Sequence, residues 1–178
     1  MELFEYEERF EKQVESYVLS EEQLQFTGIP KKCVELSKAD ADRHSILFFV
    51  NNELVTFFVL HENEGVKPYS ENPKSILLRA FSTDYYYQGK GYAKQSLLLL
   101  PDFVRKKYPH ISEIVLAVNM KNITAQSLYK KCGFIDEGVR KIGKKGELII
   151  MSLYLSDYPR EAILPPQDSV KAMSSSSG

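Results

Sequence analysis

"YYYQGKGYAK", residues Tyr85–Lys94, sets two glycines between the strand-like run "SILLRAFST" (75–83) and the leucines Leu97–Leu100. Glycines at such a junction serve a tight turn, or they open the backbone to a phosphate. A P-loop requires G-x-x-x-x-G-K-[ST], a spacing this stretch lacks. A Rossmann fingerprint requires G-x-G-x-x-G; Gly89 and Gly91 supply two positions, but Lys94 occupies the third, where a side chain obstructs helix–strand packing. What remains is a strand–turn–helix whose first-turn N–H groups point at an anion. Gly91 and Ala93 would let a diphosphate reach those amides, and Lys90 would add charge. By itself the stretch fits a plain helix-start turn at least as well.

The flanking periodicities place the motif. "SILFFV" (45–50) and "LVTFFVL" (54–60) are β-branched and aromatic and flank Asn51-Asn52, so they read as a tight antiparallel hairpin. "SILLRAFST" is a third strand of that sheet, reached through a loop over 62–74 that carries Gly65, Pro68 and Pro73. A helix follows Gly91, with Pro101 kinking or restarting it. "ISEIVLAVN" (111–119) is a strand, and "NITAQSLYKKCG" (122–133) is a helix with Asn122 as N-cap and Gly133 as its stop. "FIDEGVR" and "ELIIMSLYL" are two more strands, joined across a turn at Gly143–Gly146. Upstream, Phe10, Val14, Tyr17 and Val18 have the spacing of one amphipathic helix. Pro30 interrupts the following segment, where "ELSKADAD" reads as a short second helix.

The chain has 178 residues with 43 % apolar and 26 % charged side chains, the balance of a globular domain. A net charge of -1 offers no electrostatic argument for nucleic acid or an anionic membrane. The N-terminus is acidic where a secretory signal is basic, and no run is long and apolar enough to span a bilayer. Cys33 and Cys132 lack metal-ligand spacing and read as free thiols in a reducing cytoplasm. No metal site is expected. Residues 1–155 form the expected domain, and 156–178 read as a polar, disordered tail ending in "SSSSG".

A second motif, "NMKNITAQSLYKKCGF" (119–134), tips the balance at the glycines. Ala125, Leu128, Tyr129 and Cys132 share one helix face. Tyr129 alone fits a satisfied core tyrosine. Together, however, "QGKGYA", with Gln88, Gly91 and Ala93, resembles the Q/R-x-x-G-x-G/A signature of the GNAT superfamily of N-acetyltransferases. Asn122, Ala125, Leu128, Tyr129, Gly133 and Phe134 resemble its second half-site. The resemblance runs from about Ser45 to Leu155. It implies an α/β (α+β) fold with a mixed, mostly antiparallel sheet of about six to seven strands flanked by helices. Within the superfamily, "VLSEEQLQFTG" (18–28) and the two motifs are also similar to the bacterial spermine/spermidine acetyltransferase branch.

The resemblance implies acetyl-CoA as acetyl donor and a small-molecule amine, polyamine favoured, as acceptor. Its diphosphate would rest on the amides of Gln88, Gly89, Lys90, Gly91, Tyr92, Ala93 and Lys94. The pantetheine arm would pair near Phe81, Ser82 and Thr83, where family folds splay two strands, and would pass Asn122 and Ala125. Tyr129 would be the general acid for the departing thiolate. A family glutamate five residues before the asparagine is replaced here by Ala117, which leaves Asp84, Glu71 and His61 as candidates for the base. Glu71 also qualifies as a contact for a cationic acceptor. A peptide N-terminus, a lysine, an aminoglycoside, or a non-catalytic acetyl-CoA sensor stay open, as do monomer and homodimer.

Overall fold

The computed structural model describes residues 1–157. The proposed tail falls, from residue 158 onward, outside the described residues. Seven strands form one sheet in the order β1-β2-β3-β4-β5-β7-β6. They are β1 (Glu2–Glu5), β2 (Arg43–Val50), β3 (Glu53–His61), β4 (Ser75–Thr83), β5 (Glu113–Asn119), β6 (Ile135–Gly143) and β7 (Gly146–Tyr154). Only the β4·β5 junction is parallel; the other pairings in this sheet are antiparallel. A parallel junction needs a crossover. The helix α4 (Tyr92–Lys107) supplies it, running continuously through Pro101.

The β2–β3 hairpin turns on Asn51 (φ +52°) and Asn52 (φ +67°). Two consecutive left-handed residues match the right-handed twist of the flanking strands, and asparagine tolerates them. Alternation along the strands sorts side chains onto two faces. Phe58, Leu60, Ile76, Leu78, Leu116 and Met151 pack with Leu97, Leu100 and Val104 of α4 and with Tyr129 of α5 (Ile123–Lys131). Leu47, Phe57 and Val59 pack on the other face with Phe10, Val14 and Tyr17, and with Cys33 and Val34 of α3 (Pro30–Ala39).

The N-terminal segment departs from the periodicity reading. Beyond β1, which the apolar pattern did not announce, the helix α1 spans only Glu11–Glu15. Tyr17 and Val18 lie past its end. Leaving the helix lets Tyr17 bury itself and donate its hydroxyl to the Ser82 carbonyl at 2.7 Å. The amide of Val18 donates to Asp84 Oδ2 at 2.9 Å. Pro30 begins a helix instead of interrupting one: it sits in the first turn of α3, where a missing N–H costs nothing. Between them, α2 (Glu21–Leu24) is a single turn closed by a capping box of Ser20 and Gln23.

His44 on β2 links this segment to the sheet. Its ring nitrogens meet Glu5 Oε2 at 3.1 Å and Glu62 Oε2 at 2.6 Å. The hydrogen bond to Glu5, opposed by burial and aided by Glu62, raises the imidazole above its ordinary value. A raised histidine contributes stability that is complete below the unfolded value near 6.5 and is lost as pH rises through the folded one. His44→Gln should therefore lose less stability than wild type as pH is raised from 6 to 9, measured by melting temperature. An equal loss in the two proteins would refute the assignment.

Candidate active site

Parallel pairing of β4 with β5 runs only from Ser75↔Glu113 to Leu78↔Leu116. Beyond Leu78, β4 stays paired to β3 as far as Thr56↔Thr83. Beyond Leu116, β5 stays paired to β7 as far as Asn119↔Leu148. The two strand ends therefore diverge, each keeping only its outer neighbour. The divergence coincides with a bulge: the β3–β4 register shifts between Phe57 and Val59, and Ala80 sits at φ +56°. A left-handed alanine costs about 1–2 kcal/mol, and a bulge re-aims the strand that carries it. The result is a cleft of about 1320 Å³ lined by residues 77–82 of β4 and 116–119 of β5.

Phe81, Ser82, Gln88, Asn122, Ala125 and Tyr129 line this cleft. Phe81 stacks on Phe58 at 5.8 Å and meets Tyr129 edge-on at 6.0 Å. Tyr129 also packs edge-on against Phe134 at 5.9 Å. Burial, with a minor contribution from Cys132, drives the Tyr129 phenol well above its ordinary value, and among the described residues no hydrogen bond offsets it. The phenol is thus held protonated, and Tyr129 lines the cleft. Asn122 caps α5, its side-chain oxygen accepting from the Ala125 amide at 3.2 Å. Gly133, at φ +104°, lets the chain turn back into Phe134.

The other predicted positions lie near or outside the cleft lining. The Ser82 carbonyl already accepts from Tyr17, and the Thr83 carbonyl accepts from Gln23 Nε2 at 2.7 Å. These bonds tie the N-terminal segment to the end of β4. After Gln88, the turn of Gly89 (φ +78°), Lys90 and Gly91 (φ +83°) leads into α4. Helix bonding starts with the Gln95 amide on the Gly91 carbonyl at 3.0 Å, and no side chain caps the helix. The earlier amides are left for an outside acceptor. An added Cβ at Gly91 would meet nothing within 4 Å of the protein, so its glycine answers to conformation. Tyr92 packs on Phe48, Val50 and Val55, whereas Lys90 and Lys94 are exposed.

The candidates for a base are dispersed. Asp84 is buried and engaged by the amides of Val18 and Tyr86. His61 is buried between Asp40 and Arg79. Glu71 is exposed on the β3–β4 loop, outside the cleft lining. Among the described residues no His, Cys, Asp and Glu cluster could hold a metal, and no helix is long and apolar enough to cross a membrane.

Sequence reasoning missed the face of the cleft opposite Tyr129. It is lined by Arg43, Arg79 and Tyr69, by Glu21, Glu22 and Phe26 around α2, and by Lys144 and Lys145 of the β6–β7 turn. One signal was present: Arg79 interrupts the apolar run over residues 76–81, and arginine is rarely drawn inward without a partner.

Residues 5–134 match the model of the acetyltransferase (GNAT) family. The chain is 40 % identical over 144 residues to the uncharacterized N-acetyltransferase YbbJ of Bacillus subtilis (strain 168), covering 80 % of this chain and 90 % of that one. It is 30 % identical over 119 residues to a probable spermine N(1)-acetyltransferase of Bacillus subtilis subsp. natto (strain BEST195), covering 65 % and 75 %. Two solved structures share the fold. The Vibrio cholerae spermidine N-acetyltransferase in complex with CoA and spermine superposes with a TM-score of 0.67 at 18 % identity, covering 88 % of this chain and 96 % of that one. The aminoglycoside acetyltransferase AAC(6')-Ib in complex with coenzyme A and kanamycin gives 0.68 at 14 %, covering 85 % and 93 %. The chain belongs to the GNAT family of N-acetyltransferases.

Proposed function

We propose that the protein transfers the acetyl group of acetyl-CoA to the primary amine of a small molecule by direct attack. The observation that carries this is the β4–β5 divergence, with Tyr129 held against Phe81 beside it. The main-chain edges left free there suit a peptide-like pantetheine arm, which would run past Asn122 and Ala125. The uncapped first turn of α4 suits the diphosphate. The buried free thiols Cys33 and Cys132 fit a reducing cytoplasm.

The chemistry sets two proton tasks. An amine with pKa near 10.4 is about one part in a thousand neutral at pH 7.4, a deficit of roughly 4 kcal/mol before attack. Its nitrogen attacks the thioester carbonyl, an N–C bond forms, the C–S bond breaks, and the amine proton leaves to water. The departing thiolate takes a proton from the Tyr129 hydroxyl, which solvent restores. Polarisation of the carbonyl would fall to a strand-end N–H near the bulge.

For the acceptor, the relative described as a probable spermine acetyltransferase supports a polyamine. Glu21 and Glu22 on the cleft lining agree with it. The sensor reading has one observation in its favour, Ala117 on the cleft lining where some family members carry a carboxylate. A thiol-release assay with acetyl-CoA and a panel of amines separates the two. Release above background is expected with at least one amine. A rise in melting temperature with acetyl-CoA, without release for any amine, would establish the sensor instead.

A further inference from the structure

We propose that the acceptor carries, besides its amine, an oxyanionic group, carboxylate or phosphate, gripped by Arg79 and Arg43. This rests on the acetyl-transfer reading and replaces its polyamine acceptor with an anionic amine.

The two guanidinium groups line the same cleft, half-buried, on the sheet face opposite Tyr129. Arg79 sits at the bulge, next to Ala80 and two residues before Phe81. At about 3.3 Å per residue, that places it within roughly 7 Å of the strand position that meets Tyr129. Arg79 Nη1 donates to His61 Nδ1 at 3.1 Å. His61 Nε2 faces Asp40 Oδ2 at 3.4 Å, and the same carboxylate oxygen lies 3.6 Å from Arg43 Nε. Burial, then Arg43 and Arg79, lowers His61, so the ring is neutral and cannot offset a positive charge. One partly exposed aspartate therefore meets Arg43 directly and reaches Arg79 only through the His61 ring.

Among the described residues Arg79 has no carboxylate partner, and Arg43 adds repulsion to its desolvation. A half-buried guanidinium left uncompensated is costly, and its fork of donors matches a carboxylate or phosphate. Gly65 secures this arrangement: a Cβ there would meet the His61 ring at 2.3 Å. The remaining charged groups on the lining are Glu21 and Glu22 on α2 and Lys144 and Lys145 on the turn, all exposed. A polyamine reaching the gap would bring more positive charge beside Arg79. An amino acid or aminoalkyl phosphate would compensate it.

The test is thiol release by the full chain with acetyl-CoA and matched amines. These are an apolar α-amino acid and β-alanine, the carboxamide of each, an aminoalkyl phosphate, spermine and spermidine. Anionic amines should exceed their carboxamides and the polyamines in kcat/KM by about 10-fold or more. The better of carboxylate and phosphate identifies the natural oxyanion. Arg79→Gln should shrink the acid-to-carboxamide ratio by about 10- to 100-fold, with Arg79→Lys restoring part of it. Preference for polyamines or carboxamides, or an unchanged ratio in Arg79→Gln, overturns this inference and leaves acetyl transfer standing. Absence of release with every amine overturns both. Should Arg79→Gln fail to fold, the wild-type panel decides alone.

Discussion

Replacing Tyr129 by phenylalanine should lower turnover by about 10- to 1000-fold while acetyl-CoA affinity changes little. The substitution removes one oxygen and keeps the ring. Its edge-on contacts with Phe81 and Phe134 survive, so the cleft wall should keep its shape. Among the described residues no hydrogen bond offsets the burial of the phenol, so stability should hardly move. What would disappear, on the proposed mechanism, is the proton offered to the thiolate, a loss confined to the transition state. Single-turnover kinetics with calorimetry of acetyl-CoA binding separates the two quantities. The upward shift from burial adds a second reading. An acid whose pKa is raised stays protonated to higher pH, so the wild-type rate should show no decline from phenol ionisation below pH 10. Equal activity of the phenylalanine variant would remove Tyr129 from the chemistry.

Gly91→Glu should abolish measurable acetyl-CoA binding, a loss of at least about 100-fold. Two causes act together, and the geometry separates them. Gly91 lies at φ +83°, so any side chain there strains the turn, at about 1–2 kcal/mol. The space around it is open to 4 Å, so Gly91→Ala carries the strain without a steric clash inside the protein. Glutamate adds a negative charge at the uncapped helix start, where the diphosphate is proposed to sit. Calorimetry should rank wild type, alanine and glutamate in that order. Undiminished binding by a folded Gly91→Glu protein would refute the phosphate site.

Much of the sheet was legible because its signals are local. The Asn51-Asn52 turn, the alternating strands and the Asn122 cap each depend on residues within a few positions of one another. The N-terminal segment was misread because Phe10, Val14, Tyr17 and Val18 have helical spacing, yet long-range bonds dictate their placement. Tyr17 and Val18 satisfy Ser82 and Asp84, more than sixty residues away, and those bonds outweigh continuation of a short helix. Pro30 was misread for a related reason, since the same residue that breaks a helix interior suits its first turn. Of the tyrosines at 85–87, Tyr85 lines the cleft and Tyr87 donates to Glu53 at 3.1 Å, contacts no local pattern announces.

By itself the sequence determined the family, because its motifs are written in short spacings along single elements, and the proposed acid Tyr129 was read from the same spacings. The proposed acceptor side became visible only in three dimensions. Arg43 and Arg79 lie thirty-six residues apart on different strands, each unremarkable in its own window. The β2–β3–β4 register brings Arg43 opposite His61, and His61 onto Arg79. The charge of an acceptor cleft is a sum over strands that meet only in the folded sheet, and the bulge at Ala80 turns that sum toward the site.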